Sequence, residues 1–186
     1  MFLKKLKLAF IDLETTGFDP EKHEILEIGG VVAEHNIADD GTHSFQEIGE
    51  FEYKVKPKHI ETASPEALRI NHYNEADWLF AGELGQTLKD LSKKVEGAVM
   101  VAHNVSFDWS FLSASCFREN VDLKMDYHKL DLLSIAFAKL YDKNWTPKFN
   151  LWALAEHFGL QNKKAHSALA DARVAFEIYQ KLTMVE

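Results

Sequence analysis

The sequence predicts an α/β domain built on a mixed sheet, an antiparallel meander plus parallel strands, with helices on both faces. Three observations predict it. Three strand-like apolar segments joined by short turns fill the chain as far as Val55. Beyond them, helical periodicity alternates with a short buried strand. The 186 residues, 46% apolar and 27% charged, supply one full core, so a single domain over 1–186 is expected.

The elements follow in order. Leu6 to Leu13 is dense in apolar residues and predicts a buried strand, ended by Thr15-Thr16-Gly17 and Asp19-Pro20. Ile25, Ile28, Val31 and Val32 predict a second strand. Phe45 to Val55 predicts a third, joined to the second around Asp39-Asp40-Gly41. Ser64-Pro65-Glu66 opens a short helix, with Ser as N-cap and Pro at its first position. Leu84, Leu88, Leu91 and Val95 lie at helical spacing and predict a helix over 85–95. Val99 to Ala102 is a short strand, and Ser106 is expected to cap the helix after it. Leu130–Tyr141, Leu151–Phe158 and Ser167–Leu182 complete the helices, the middle one stopped by Gly159.

Composition excludes several classes. One cysteine, Cys116, leaves no intrachain disulfide and no multi-cysteine zinc site. The first ten residues carry Lys4, Lys5 and Lys7 and have no room for a signal-peptide core, and no stretch reaches membrane-span length. A cytoplasmic protein with no membrane partner is the expectation. The net charge of −8 argues against a protein that coats DNA through counterion release. It does not argue against an enzyme gripping one strand end, because bound cations are absent from that sum.

Asp12 and Glu14 lie two residues apart on a strand, so they share a face roughly 7 Å apart. Paired acids beside apolar strand residues repel unless a cation neutralises them, and a hard divalent ion with oxygen ligands is the natural partner. Exposed acids at a strand end explain the pair equally well on its own. Asp108 suits the first turn of a helix, where it complements the dipole. It also follows a strand and the His103-Asn104 turn, the position where open α/β sheets gather ligands. His166 and Asp171 would not share a face of one helix, since five positions turn about 500°. They fit if Ser167 caps the helix, leaving His166 on the loop before it. Four carboxylates suit two divalent ions, and a histidine with a pKa near ~6.5 suits taking a proton from water.

These residues lie in three ordered segments that resemble the DEDDh exonucleases. The first is Phe10-Ile11-Asp12-Leu13-Glu14-Thr15-Thr16-Gly17, followed by Ile25-Leu26-Glu27-Ile28-Gly29. The second is His103-Asn104-Val105-Ser106-Phe107-Asp108, and the third His166-Ser167-Ala168-Leu169-Ala170-Asp171-Ala172. The resemblance spans nearly the whole chain. It implies a ribonuclease H-like mixed five-stranded sheet and a metal-dependent 3′–5′ exonuclease that releases nucleoside 5′-monophosphates. It assigns Asp12, Glu14, Asp108 and Asp171 to two divalent metal ions, Mg2+ or Mn2+, and makes His166 the general base. Leu13, Thr15, Thr16, Asn104 and Phe107 would meet the terminal nucleotide. The implied partner is a single-stranded nucleic acid 3′ end. A DNA polymerase is a further possible partner, although little chain follows Leu182 to dock one. The chain would act as a monomer or homodimer.

Three features qualify the resemblance. Where many relatives carry Ile-His-Gly-Ile, this chain has Ile70-Asn71-His72-Tyr73, which puts contacts from that loop in question. Lys163 and Lys164 can meet phosphates or simply be solvated. Asp131 resembles a family aspartate and is given a structural role. DNA proofreading or repair is the first expectation and RNA 3′-end trimming the alternative. The rivals of another class are a nuclease-fold binding module without catalysis and a phosphatase with an Asp-x-Asp nucleophile. The second fits poorly, because Glu14 stands where the second Asp belongs.

Overall fold

The computed structural model describes residues 5–141, 148–160 and 167–185. Strands β1 (Lys5–Thr15), β2 (Ile25–Ile37) and β3 (His43–Lys54) form the antiparallel meander. Strands β4 (Val99–Ala102) and β5 (Lys129–Asp131) add in parallel on the other side of β1. The resulting five-stranded order is β3-β2-β1-β4-β5, which places β1 at the centre. The helices are α1 (Pro65–Ile70), α2 (Leu84–Lys94), α3 (Val105–Glu119), α4 (Leu132–Leu140), α5 (Leu151–His157) and α6 (Ala168–Thr183).

β1 is apolar in both registers because helices cover both faces of the sheet. Leu8 and Phe10 enter one core with residues of α4, α5 and α6. Ala9, Ile11 and Leu13 enter the other, with α2 and α3. Phe10 and Phe111, each 0% exposed, anchor one core apiece, and truncating either to alanine is worth about 3–5 kcal/mol. Alternation then dictates that Asp12 and Glu14 continue the Leu8–Phe10 face, toward α6. Among the described residues no helix is long and apolar enough to cross a membrane.

Two expectations are corrected. The segment 129–131 is a strand rather than the start of a helix, because Leu130 pairs with Val101 in the parallel ladder. Three residues are too few to show a period. α4 begins at Leu132, two residues later than expected, with Asp131 as its N-cap accepting from the Ser134 amide at 3.1 Å. Ser106 is likewise not the cap of α3. That position belongs to Asn104, in the left-handed conformation (φ 68°, ψ 58°) and without a capping side chain. The Asp131 carboxylate instead accepts from the Asn104 and Val105 amides at 2.9 and 3.2 Å. By contrast, Ser64 caps α1 and Gly159 ends α5 at φ +67°, as their residue types predict.

Candidate active site

Asp171 is the fourth residue of α6 and 8% exposed. Ser167 caps that helix, its hydroxyl accepting from the Ala170 amide at 3.3 Å. The helix start can reach the sheet because β2 has no side chain at Gly29, where a Cβ would lie 2.0 Å from the Leu169 nitrogen. Oxygens of Asp12, Glu14 and Asp171 consequently come within 4.8 Å of one another. Asp108 arrives from α3, on the opposite face of the sheet, and is 3% exposed. Its Oδ1 accepts from the Leu13 amide at 3.1 Å, between the two acids of β1. The structure thus gathers three of the predicted carboxylates in one group and sets Asp108 beside it. His166, Lys163 and Lys164 lie outside the described residues.

The electrostatics are those of crowded, desolvated like charges. Burial, then Asp108, Glu14 and Asp171, hold the Asp12 carboxyl well above its ordinary range. Burial pushes Glu14 from 4.5 to about 8, with Asp171, Glu27 and Asp108 adding to the rise. Asp108 is also pushed up to about 8 by burial, against backbone hydrogen bonds that favour its charge. Burial alone raises Asp171 to about 6. Asp171 Oδ1 is buried and has no hydrogen-bond partner. An all-oxygen cluster of mutually repelling carboxylates with an orphaned oxygen fits a hard divalent cation. Protonation or a metal relieves the same repulsion, so the residues present suit the ion.

The expected nucleotide contacts divide. Leu13, Thr15 and Phe107 line one cavity of about 210 Å3 together with Glu14, Phe18 and Asn71. Thr16 is 0% exposed and holds the turn, its hydroxyl accepting from the Glu24 amide at 2.8 Å and its carbonyl from Ser64 at 2.8 Å. Asn104 does not line the cavity; it shapes the start of α3.

Three residues escaped the sequence reading. Phe18 is 83% exposed at the cavity, its ring edge-on to Phe107 with centroids 6.2 Å apart. An aromatic residue directly after the Thr15-Thr16-Gly17 turn, with no periodic partner, was the available signal. Asn71 lies in the departing loop yet donates from Nδ2 to the Thr15 carbonyl at 2.8 Å, tying α1 to the site. Glu27 is a buried acid inside the apolar run of β2, visible as a charge out of pattern.

Comparison with known proteins gives the family and the fold. The RNase T family model, described as an exonuclease, matches residues 9–179. The DNA polymerase III subunit epsilon of Treponema pallidum (strain Nichols) is 29% identical over 171 residues, covering 90% of this chain and 72% of that protein. The 3′-5′ exonuclease DinG of Staphylococcus epidermidis is 31% identical over 188 residues, 94% of this chain but 18% of that protein. Among solved structures, E. coli Exonuclease I in complex with a dT13 oligonucleotide superposes with a TM-score of 0.78 at 18% identity, over 97% of this chain and 41% of that one. The fold is therefore the ribonuclease H-like one. The chain belongs to the RNase T exonuclease family and is a hydrolase.

Proposed function

We propose that this chain removes nucleotides from the 3′ end of single-stranded DNA, in proofreading or repair, using two divalent ions, Mg2+ or Mn2+. The observation that carries the proposal is the convergence of Asp12, Glu14 and Asp171 beside a small cavity walled by Phe18 and Phe107. The carboxylates would hold the ions, with Asp108 completing the set. Bound there, divalent ions supply the charge that stabilises phosphoryl displacement and activates water.

The chain's own residues do the remainder. The Phe18 and Phe107 rings offer faces on which a terminal base can stack, a contact indifferent to base identity. Leu13 and Thr15 close the cavity around the sugar. Asp108 fixes the β1 backbone through the Leu13 amide, which holds Asp12 and Glu14 in register. His166 directly precedes the Ser167 cap, and its ring nitrogen would take the proton of the attacking water. A DNA substrate, and a place beside a polymerase in the cytoplasm, are supported by the polymerase III subunit epsilon among the relatives.

The test uses matched DNA and RNA oligomers labelled at the 3′ end. Metal-dependent release of labelled 5′-monophosphate from DNA is expected, faster than from RNA. Undiminished activity in excess chelator, or preference for RNA, would overturn the proposal in its metal or its substrate. His166→Gln should flatten the acid limb of the kcat profile; an unchanged limb removes His166 as the base.

A further inference from the structure

Glu27 interrupts the run Ile25-Leu26-Glu27-Ile28 and is 7% exposed, although an acid so placed is unfavourable without partners. It stands opposite Glu14 in the antiparallel ladder between β1 and β2, so two acids sit side by side on one face. Glu27 is nevertheless outside the group whose oxygens meet within 4.8 Å. Its oxygens turn elsewhere. Oε2 accepts from the Ala168 amide in a long hydrogen bond of 3.5 Å, and Oε1 lies 4.0 Å from Lys54 Nζ. Lys54 in turn lies over the Trp78 ring at 4.0 Å, and Trp78 Nε1 donates to the Leu26 carbonyl at 3.2 Å.

Ala168 is the first residue of α6, and its amide is one that a helix cannot satisfy internally. Two positions beyond Glu27, on the same face of β2, Gly29 makes room for that same turn: a Cβ there would lie 2.1 Å from the Ala168 carbonyl carbon. Acceptor and gap are therefore addressed to the backbone of the same residue at one helix start. Asp171 follows three residues later.

We propose that Glu27 is a positioning residue which, with Gly29, seats the first turn of α6 on β2 and so sets where Asp171 meets Asp12 and Glu14. The role rests on that carboxylate cluster being the catalytic centre. Glu27 holds the helix that carries a ligand and holds no ion itself. Its negative charge also faces the positive end of the helix, where it is favourable.

The test joins one measurement on the unmodified protein to two substitutions. Amides of a first helical turn ordinarily exchange fast, so slow hydrogen exchange at Ala168 is expected, and fast exchange overturns the seat. Glu27→Ala should weaken Mn2+ binding, followed by calorimetry without nucleic acid, by about tenfold or more. It should lower kcat by about 10- to 100-fold while KM stays within about twofold. Glu27→Gln still offers an oxygen to the Ala168 amide and should recover most of both. Unchanged Mn2+ binding and turnover in Glu27→Ala would overturn the proposal, as would a Glu27→Gln variant no better than Glu27→Ala. Should Glu27→Ala not fold, Ala168 exchange in the native protein and in Glu27→Gln decides. Exchange and Mn2+ binding need no 3′ end. A protein that passes both yet leaves DNA intact defeats the function proposed above and not the seat.

Discussion

The starts of α3 and α6 perform the same task by different means. Each delivers an acid, Asp108 or Asp171, from its fourth position to the end of β1. At α6 the work is local: Ser167 has extended geometry (φ −125°, ψ 137°), and its hydroxyl bonds the helix it begins. At α3 it is remote: Asn104 is left-handed, its side chain caps nothing, and Asp131 supplies the acceptor from 27 residues away. The acids also end differently. Asp108 is engaged by the Leu13 amide, whereas Asp171 keeps a buried oxygen with no partner. One helix start is thus tied to the scaffold, and the other presents a buried carboxylate oxygen without a hydrogen-bond partner.

The largest effect separates function from stability. Asp108→Ala and Asp171→Ala should each lower kcat by about 1,000-fold or more, because each removes a carboxylate proposed to hold the cations that would stabilise the transition state. Their metal-free melting temperatures should move in opposite directions. Asp171→Ala deletes a crowded, unpartnered carboxylate and should raise Tm. Asp108→Ala leaves the buried Leu13 amide without its acceptor and should lower Tm. Thermal melts in chelator check both signs, and a fall of equal size in the two would erase the distinction.

A pH series on the metal-free protein probes the cluster as a whole. Its carboxyls titrate above their ordinary values, Asp171 at about 6 and Glu14 and Asp108 at about 8. A raised folded-state pKa contributes stability that is complete below the ordinary carboxylate range and disappears as pH climbs through the folded value. Metal-free Tm should therefore fall from about pH 4 to pH 8. Divalent ions require the deprotonated form, so the Tm gain from Mg2+ should grow over the same interval. A Mg2+ gain independent of pH would sever the cluster from the metal.

Asp131 sharpens the contrast between local and remote design, and it marks what a sequence can disclose. Burial raises its pKa, yet hydrogen bonds from Ser134, Val105 and Asn104 outweigh that and leave it below the ordinary range. It is a satisfied carboxylate, unlike Asp171, whose Oδ1 has no partner. Losing it strips an acceptor from two helix starts, so Asp131→Ala should destabilise by about 2–3 kcal/mol in denaturant melts. The meander, the Ser64 and Ser167 caps and the Asp12–Glu14 pair were legible because each depends on residues near in sequence. β5, the true cap of α3 and the exposed Phe18 beside Phe107 were not. Each exists only once β4, β5 and the 17–24 turn are assembled, and three residues such as Lys129–Asp131 carry no period of their own.

The smallest effects test the two cap positions directly. Ser167→Ala removes the only side-chain oxygen bonded to the Ala170 amide among the described residues and should cost about 1 kcal/mol. Asn104→Gly should change stability by no more than a few tenths of a kcal/mol, roughly, because the left-handed backbone suits glycine and the asparagine side chain caps nothing. Activity then distinguishes what stability cannot. If Asn104 touches the substrate, Asn104→Gly will raise KM in a protein that melts like the parent. If it serves only as a hinge for α3, KM and Tm will both hold, and the asparagine is explained by its backbone alone.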